Sequence, residues 1–182
     1  MHINSDVRGM WRYADLFSAA DLEASRSITL GEGGTPVHEA PRTAANIGCH
    51  RVLIKDESQN PSGSFKDRSG SYTVLKMREL GAKGIVLQST GNAAASFAIY
   101  AARAGLPCHV VVPEDVLPMN VHQILRSGAM LTQLGDWAQA DATCAQIAKA
   151  SGFEVVSAAN TPHRMHAKQS LGFEVVEQCD GD

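Results

Sequence analysis

The sequence predicts an α/β fold in which parallel strands are covered by helices in a three-layer αβα arrangement. Three observations carry that reading. From residue 51 onward, short apolar runs alternate with helix-length stretches. Each helical stretch is closed by a glycine, at Gly81, Gly105, Gly128 and Gly152. Finally, 44% of the 182 residues are apolar, enough to supply the core of an ordinary domain. Strand and helix in repeated order leave consecutive strands parallel and put helices over both faces of the sheet.

Taken in order, residues 1–30 are mixed in character, with Trp11-Arg12-Tyr13 and a short helix near 19–24 as the legible features. Leu30-Gly31-Glu32-Gly33-Gly34-Thr35-Pro36 is a glycine-rich loop that either approaches a ligand closely or turns the chain. It lacks the spacings of nucleotide-phosphate loops, and no long helix clearly follows it. Strands are expected at 51–57, 84–88, 108–113, 129–134 and 153–157, with helices near 64–80, 92–104, 118–127 and 137–150. Ligands of such a fold bind at the carboxyl ends of the strands.

The segment Asn60-Pro61-Ser62-Gly63-Ser64-Phe65-Lys66-Asp67-Arg68 joins the first of these strands to its helix. Pro61 and Gly63 mark a turn, and Ser64 with Asp67 has the spacing of a capping box, which places Lys66 in the first helical turn. Free N–H groups and the positive end of the helix dipole disfavour a further positive charge there, and burial acts in the same direction. A neutral lysine amine is the nucleophile that condenses with an aldehyde. The segment resembles the cofactor-lysine segment of the tryptophan-synthase-β-like (fold type II) pyridoxal phosphate enzymes, and is most similar to their threonine synthase branch. The order W-R-Y, L-G-E-G-G-T-P, then the lysine segment is similar to the opening of that branch. The resemblance implies a fold type II architecture, pyridoxal 5'-phosphate as cofactor and Lys66 as the cofactor-binding catalytic lysine.

Two further segments carry the same likeness. Ser89-Thr90-Gly91-Asn92, after the second strand, offers hydroxyls, a close backbone approach and the N–H groups of an alanine-rich helix. Read from its residues alone, it is either an anion loop or a βα turn with Asn92 as N-cap. It resembles the family's substrate-carboxylate loop, which gives Ser89, Thr90, Gly91 and Asn92 to the substrate and Asn92 also to the cofactor's 3-hydroxyl oxygen. Asn160-Thr161-Pro162-His163-Arg164-Met165 resembles the segment whose arginine grips a substrate phosphate, a role that falls on Arg164. Here the chain continues His166-Ala167-Lys168-Gln169-Ser170 where the family has E-G-Q-K-T.

A net charge of −3 provides no basic field for nucleic acid or an anionic membrane, and no apolar run reaches membrane-spanning length. The N-terminal residues lack a signal-peptide pattern, so the cytoplasm is expected. Cys49, Cys108, Cys144 and Cys179 are far apart and read as small buried side chains rather than a zinc or disulfide framework. His163 and His166 share a helix face without a third ligand, so no metal is expected.

The resemblance divides the chain into 1–88, the N-terminal part of a larger cofactor domain; 89–167, a small α/β domain; and 168–182, a helix returning to the larger domain. It expects about half of the usual enzyme, including the glycine-rich cup for the cofactor phosphate, to lie beyond Asp182. On that expectation the 182 residues alone neither retain pyridoxal phosphate tightly nor turn over. The implied reaction converts O-phosphohomoserine and water to L-threonine and phosphate. Its partner is a small amino-acid substrate, and the likeness leaves a homodimer open. Two alternatives stand beside it: another fold type II enzyme, such as cysteate synthase or a serine/threonine dehydratase, and a short non-catalytic binding or assembly module.

Overall fold

The computed structural model describes residues 3–16, 22–158 and 161–179. A 3-10 segment, Gly9–Leu16, and a short helix α1 (Leu22–Ser25) open the chain. The helix expected near 19–24 runs partly through residues 17–21, which lie outside the described residues. Strand β1 (Val37–Glu39), helix α2 (Pro41–Ile47) and strand β2 (Leu53–Lys55) follow. Then come α3 (Lys66–Glu79), β3 (Ile85–Gln88), α4 (Asn92–Ala104), β4 (Cys108–Pro113), α5 (Pro118–Arg126), β5 (Met130–Leu134), α6 (Ala140–Ser151), β6 (Glu154–Val155) and α7 (His163–Gln178).

Strands β3 to β6 form one parallel sheet in the order β5-β4-β3-β6, with Ile85 opposite both Cys108 and Glu154 and Val110 opposite Leu131. The two-residue period of a strand sends alternate side chains to opposite faces. Ile85, Leu87, Val110 and Val112 face the main core, shared with Leu75 of α3, Phe97 of α4 and Ile124 of α5. Val86 and Val111 face the other way, onto Ala140 and Cys144 of α6. Both faces of the sheet are therefore covered, as the apolar runs of β3 and β4 require. Among the described residues no helix is long and apolar enough to cross a membrane.

The run at 51–57 departs from expectation. Read as another parallel strand, its centre instead pairs antiparallel with β1, Val37 opposite Lys55, in a separate two-stranded sheet. The burial explains why: Ile54 is 50% exposed, so this strand has a solvent side and cannot sit inside a parallel sheet covered on both faces.

The glycine-rich loop is a structural clasp. Its Glu32, fully buried, accepts hydrogen bonds from Trp11 Nε1 (2.7 Å), the Leu30 N–H (2.9 Å), the Tyr100 hydroxyl (2.9 Å) and the Ser71 hydroxyl. The close backbone approach that the glycines permit is made to the chain itself: Gly33 has φ +82°, and a Cβ there would lie 2.5 Å from the Met10 nitrogen. Gly33 and Gly34 then donate to Asn60 Oδ1 and Glu174 Oε1, each at 2.9 Å, tying the N-terminal segment to the start of α3 and to α7.

Candidate functional site

Topology sets the location. The C-terminus of α3 leads through a short loop into the start of β3, and the end of β3 leads directly into α4. Both helices therefore begin at the carboxyl edge of the parallel sheet, where α/β folds bind ligands. Lys66 is the first residue of α3 and Asn92 the first of α4. Helix α7 crosses the first turns of α3: Ser69 Oγ donates to the Arg164 carbonyl (3.0 Å), and Arg68 Nη1 donates to Ser170 Oγ (3.0 Å).

The start of α3 departs in detail from a capping box. Ser64 Oγ accepts from the Lys66 N–H at 3.2 Å, but Asp67 reaches back to the Ser62 N–H (2.6 Å) and the Ser62 hydroxyl instead of to Ser64. The backbone is already helical at Phe65, φ −49° and ψ −23°, so the preceding turn brings Ser62 over the carboxylate. Burial pushes the Asp67 carboxyl upward against the lowering effect of those two bonds. Lys66 itself is half-buried, less enclosed than its sequence position implies, with Nζ 5.3 Å from the Phe65 ring centre.

Asp67 and Arg68 are structural neighbours of the lysine. Arg68, with no exposed surface, pairs through Nε and Nη2 with the Glu57 carboxylate (both 2.8 Å) and through Nη1 and Nη2 with Glu174 (both 2.7 Å). Lys55 adds a contact to Glu174 at 2.9 Å.

A few residues away on α7 the charges have no such partners. The Arg164 guanidinium lies 5.1 Å from the Phe97 ring centre; its Nε is buried without a hydrogen-bond partner, and burial holds the group below its ordinary range. Lys168, one turn on, donates among the described residues to Met165 Sδ, at 3.6 Å. Burial, then the nearby Lys66 and Arg164, hold the Lys168 ammonium below its ordinary value. Among the described residues no carboxylate pairs with Lys66, Arg164 or Lys168. The His163 and His166 rings lie 6.4 Å apart on the same helix, each with a buried Nδ1 lacking a partner. Among the described residues no group of three His, Cys, Asp or Glu side chains is arranged to hold a metal.

The Ser89–Asn92 loop has a divided role. Ser89 Oγ accepts from the Gly91 and Ala94 N–H groups, both at 3.2 Å, so this serine rather than Asn92 caps α4. Thr90 and Asn92 are exposed, while the Ala94 N–H of the first helical turn is taken up by the Gly91 carbonyl (2.9 Å) and Ser89 Oγ. A Cβ on Gly91 would approach only the Asn120 amide, at 3.6 Å, so the loop's outer side is open.

Lys66, Ser89, Thr90, Gly91, Asn92 and Arg164 thus gather at one end of the sheet, while Asn160 of the arginine segment lies outside the described residues. Lys168 and Phe97 join them without any local signal beyond the unusual H-A-K-Q-S continuation. A cavity of about 240 Å³, lined in part by Pro61, Ser62, Ala95 and Ile99, lies beside this end. A roomier one of about 380 Å³, between Leu80, Lys83 and Glu154, lies at the amino edge of the sheet and is remote from these groups. The four cysteines are free: Cys49 is exposed and the other three buried.

Residues 28–182 match the family model described as pyridoxal-phosphate dependent enzyme. The chain belongs to the pyridoxal-phosphate dependent enzyme family. It is 34% identical over 181 residues to a threonine synthase of Methanosarcina acetivorans, covering 98% of this chain and 43% of that protein. It is 33% identical over 174 residues to a threonine synthase of Methanocaldococcus jannaschii, covering 94% and 42% respectively. The chain therefore spans less than half the length of these curated relatives. Among solved structures it resembles maize serine racemase, with TM-score 0.77, 24% identity, and 87% of this chain and 48% of that one covered. It also resembles a pyridoxal 5'-phosphate-dependent aspartate racemase, with TM-score 0.74, 26% identity, and 79% and 46% covered. These likenesses place the αβα fold among fold type II enzymes.

The residues of this pyridoxal-phosphate enzyme fit its cofactor. An aldehyde requires a primary amine, which Lys66 presents at a helix start. Anionic groups require donors without carboxylate competitors, and among the described residues neither Arg164 nor Lys168 is paired with one.

Proposed function

We propose that the whole protein is a lyase that converts O-phosphohomoserine and water to L-threonine and inorganic phosphate. The observation that carries this reading is the convergence of Lys66, Arg164 and Lys168, unopposed by carboxylates among the described residues, at the carboxyl edge of the sheet beside the start of α4. The similarity to threonine synthases over most of the chain supports the same substrate.

Pyridoxal phosphate, when bound, supplies an aldehyde that takes up amino groups and a conjugated ring that withdraws electrons from the neighbouring carbon. Lys66 Nζ anchors it and accepts and returns protons at the substrate carbons. Asn92, at the first position of α4, would hold the cofactor through its side-chain amide and, with Thr90 and Gly91, would receive the substrate carboxylate at the helix N-terminus. Ser89 shapes that loop through its capping bonds while belonging to the same subsite. Arg164 grips the phosphate that leaves, its planar fork matched to two phosphate oxygens and its guanidinium held against Phe97 at 5.1 Å from the ring centre.

In this reading residues 1–88 belong to the larger cofactor domain, 89–167 form the small domain and 168–182 return to the larger one. The enzyme acts in the cytoplasm on a small amino acid, as a homodimer.

The test is product analysis. Incubating the cofactor-loaded whole protein with O-phosphohomoserine should release phosphate and L-threonine in equal amounts. Arg164→Ala should weaken use of that substrate far more than any use of serine or threonine, because only the former loses a charged partner. Deamination of serine or threonine without phosphate release would assign the protein to a different reaction.

A further inference from the structure

We propose that Lys168 is a second phosphate-binding residue, closing with Arg164 a two-cation clamp on the phosphate of the amino-acid substrate and setting the preference for phosphorylated over free amino acids. This deepens the function proposed above and rests on it.

Arg164 and Lys168 are four residues apart on α7, so their side chains leave the same face of the helix one turn apart. That face crosses the start of α3. The Ser69–Arg164 and Arg68–Ser170 hydrogen bonds bracket Lys168 and hold it over the first turn of α3, where Lys66 lies. Three cations from two helices are thereby confined together, two of them partly withdrawn from water. Other shielded lysines of this protein are neutralised by the fold itself. Lys55 contacts Glu174 at 2.9 Å, and Lys76 contacts Glu79 at 2.6 Å. Lys168 instead meets a thioether, and the Nε of Arg164 has no hydrogen-bond partner among the described residues. Clustering like charges without counter-ions is unfavourable unless an anion completes the group.

Charge balance selects which anion. A phosphate monoester carries roughly −1.5 to −2 charges near neutral pH, so one guanidinium leaves about half of it uncompensated. Arginine supplies a planar, bidentate contact, and lysine a compact point charge that tolerates movement of the departing group. The α-carboxylate, common to phosphorylated and free amino acids, falls to the Ser89–Asn92 loop and needs neither cation.

The experiment compares the cofactor-loaded whole protein with its Lys168→Gln, Lys168→Met and Lys168→Arg variants. Binding of inorganic phosphate and of L-homoserine is measured by calorimetry, with kcat and KM for O-phosphohomoserine and the melting temperature of each variant. Lys168→Gln and Lys168→Met should weaken inorganic phosphate binding and raise KM by about 10- to 100-fold, as expected for loss of a charge-assisted contact. The expected kcat change is within about threefold, the signature of lost ground-state binding. L-Homoserine binding and melting temperature should stay unchanged, and Lys168→Arg should recover most of the phosphate affinity. Unaltered phosphate binding, or equal weakening toward phosphate and L-homoserine, would overturn the proposal. So would loss of cofactor uptake in place of phosphate binding, which would assign Lys168 to the cofactor's phosphate. If the unaltered protein releases no phosphate from O-phosphohomoserine, the functional reading fails, and the calorimetric comparison with inorganic phosphate still decides whether Lys168 binds that group.

Discussion

Lys66 and Arg68 lie two residues apart on α3 and meet opposite surroundings. Arg68 turns inward, where Glu57 and Glu174 take up all of its guanidinium nitrogens together with Ser170. Lys66 turns toward the sheet edge, where Lys168 is close enough for the two charges to act on each other and Arg164 in turn lies near Lys168. The same two helices, α3 and α7, thus carry a region in which the fold satisfies every strong charge and one in which it leaves charges open. The first is architecture: removing one partner strands the others in a poorly solvated interior. The second is a receptor, whose missing counter-charge arrives with the ligand.

Breaking the closed region should have the largest consequence. Arg68→Met leaves two buried carboxylates without their main partner and should lower unfolding free energy by roughly 3–5 kcal/mol in a denaturant titration. Replacing Arg68, Glu57 and Glu174, together with Lys55 that pairs with Glu174, by apolar residues of similar volume should recover much of that loss, since no charge of the cluster is then left unpaired.

Acid should reach the same region next. Burial pushes the Glu57 and Glu174 carboxyls upward, but hydrogen bonds and charge from Arg68 outweigh it and leave both below the usual carboxylate range. A carboxyl depressed in the folded state contributes stability that is complete above its unfolded pKa, about 4.3 for Glu, and is lost as pH falls through the lower folded value. Melting curves over roughly pH 6 to 3 should therefore show the native protein losing stability with acid, while Arg68→Met, whose unpaired carboxyls are relieved by protonation, loses less, so that the gap between the two narrows.

Smaller effects belong to the receptor side. Ser89→Ala removes the hydroxyl that caps α4 and should cost about 1 kcal/mol of stability. Lys168→Gln should change stability by no more than about 0.5 kcal/mol in either direction, because the fold gives that ammonium no ionic partner to lose. A loss as large as that from Arg68→Met would erase the distinction between the two regions.

The distinction was only partly legible in the sequence. From α3 onward the strands and helices follow the alternation of apolar runs and glycine stops, because local periodicity and local capping determine them. Strand β1 escaped notice because Val37-His38-Glu39 is too short to show a period, and its pairing with β2 depends on the chain reversal around α2. Lys66, Arg164 and the Ser89–Asn92 loop were legible as motifs. The Arg68–Glu174 pair was not, since 106 residues separate its members and neither sits in a pattern that names the other. Lys168 stood only as a departure from the family's run; that it lies over the start of α3 depends on how α7 crosses that helix.

The central claim is that Lys66, among the clustered cations, is the amine that holds the cofactor. Reducing the cofactor-loaded whole protein with borohydride, digesting it and mapping the pyridoxyl label by peptide mass spectrometry tests it directly. The label is expected on Lys66 alone, in the peptide containing Asn60–Arg68, and should be lost in Lys66→Ala. A label on Lys168, on the neighbouring face of α7, or on Lys55 or Lys76 would contradict it.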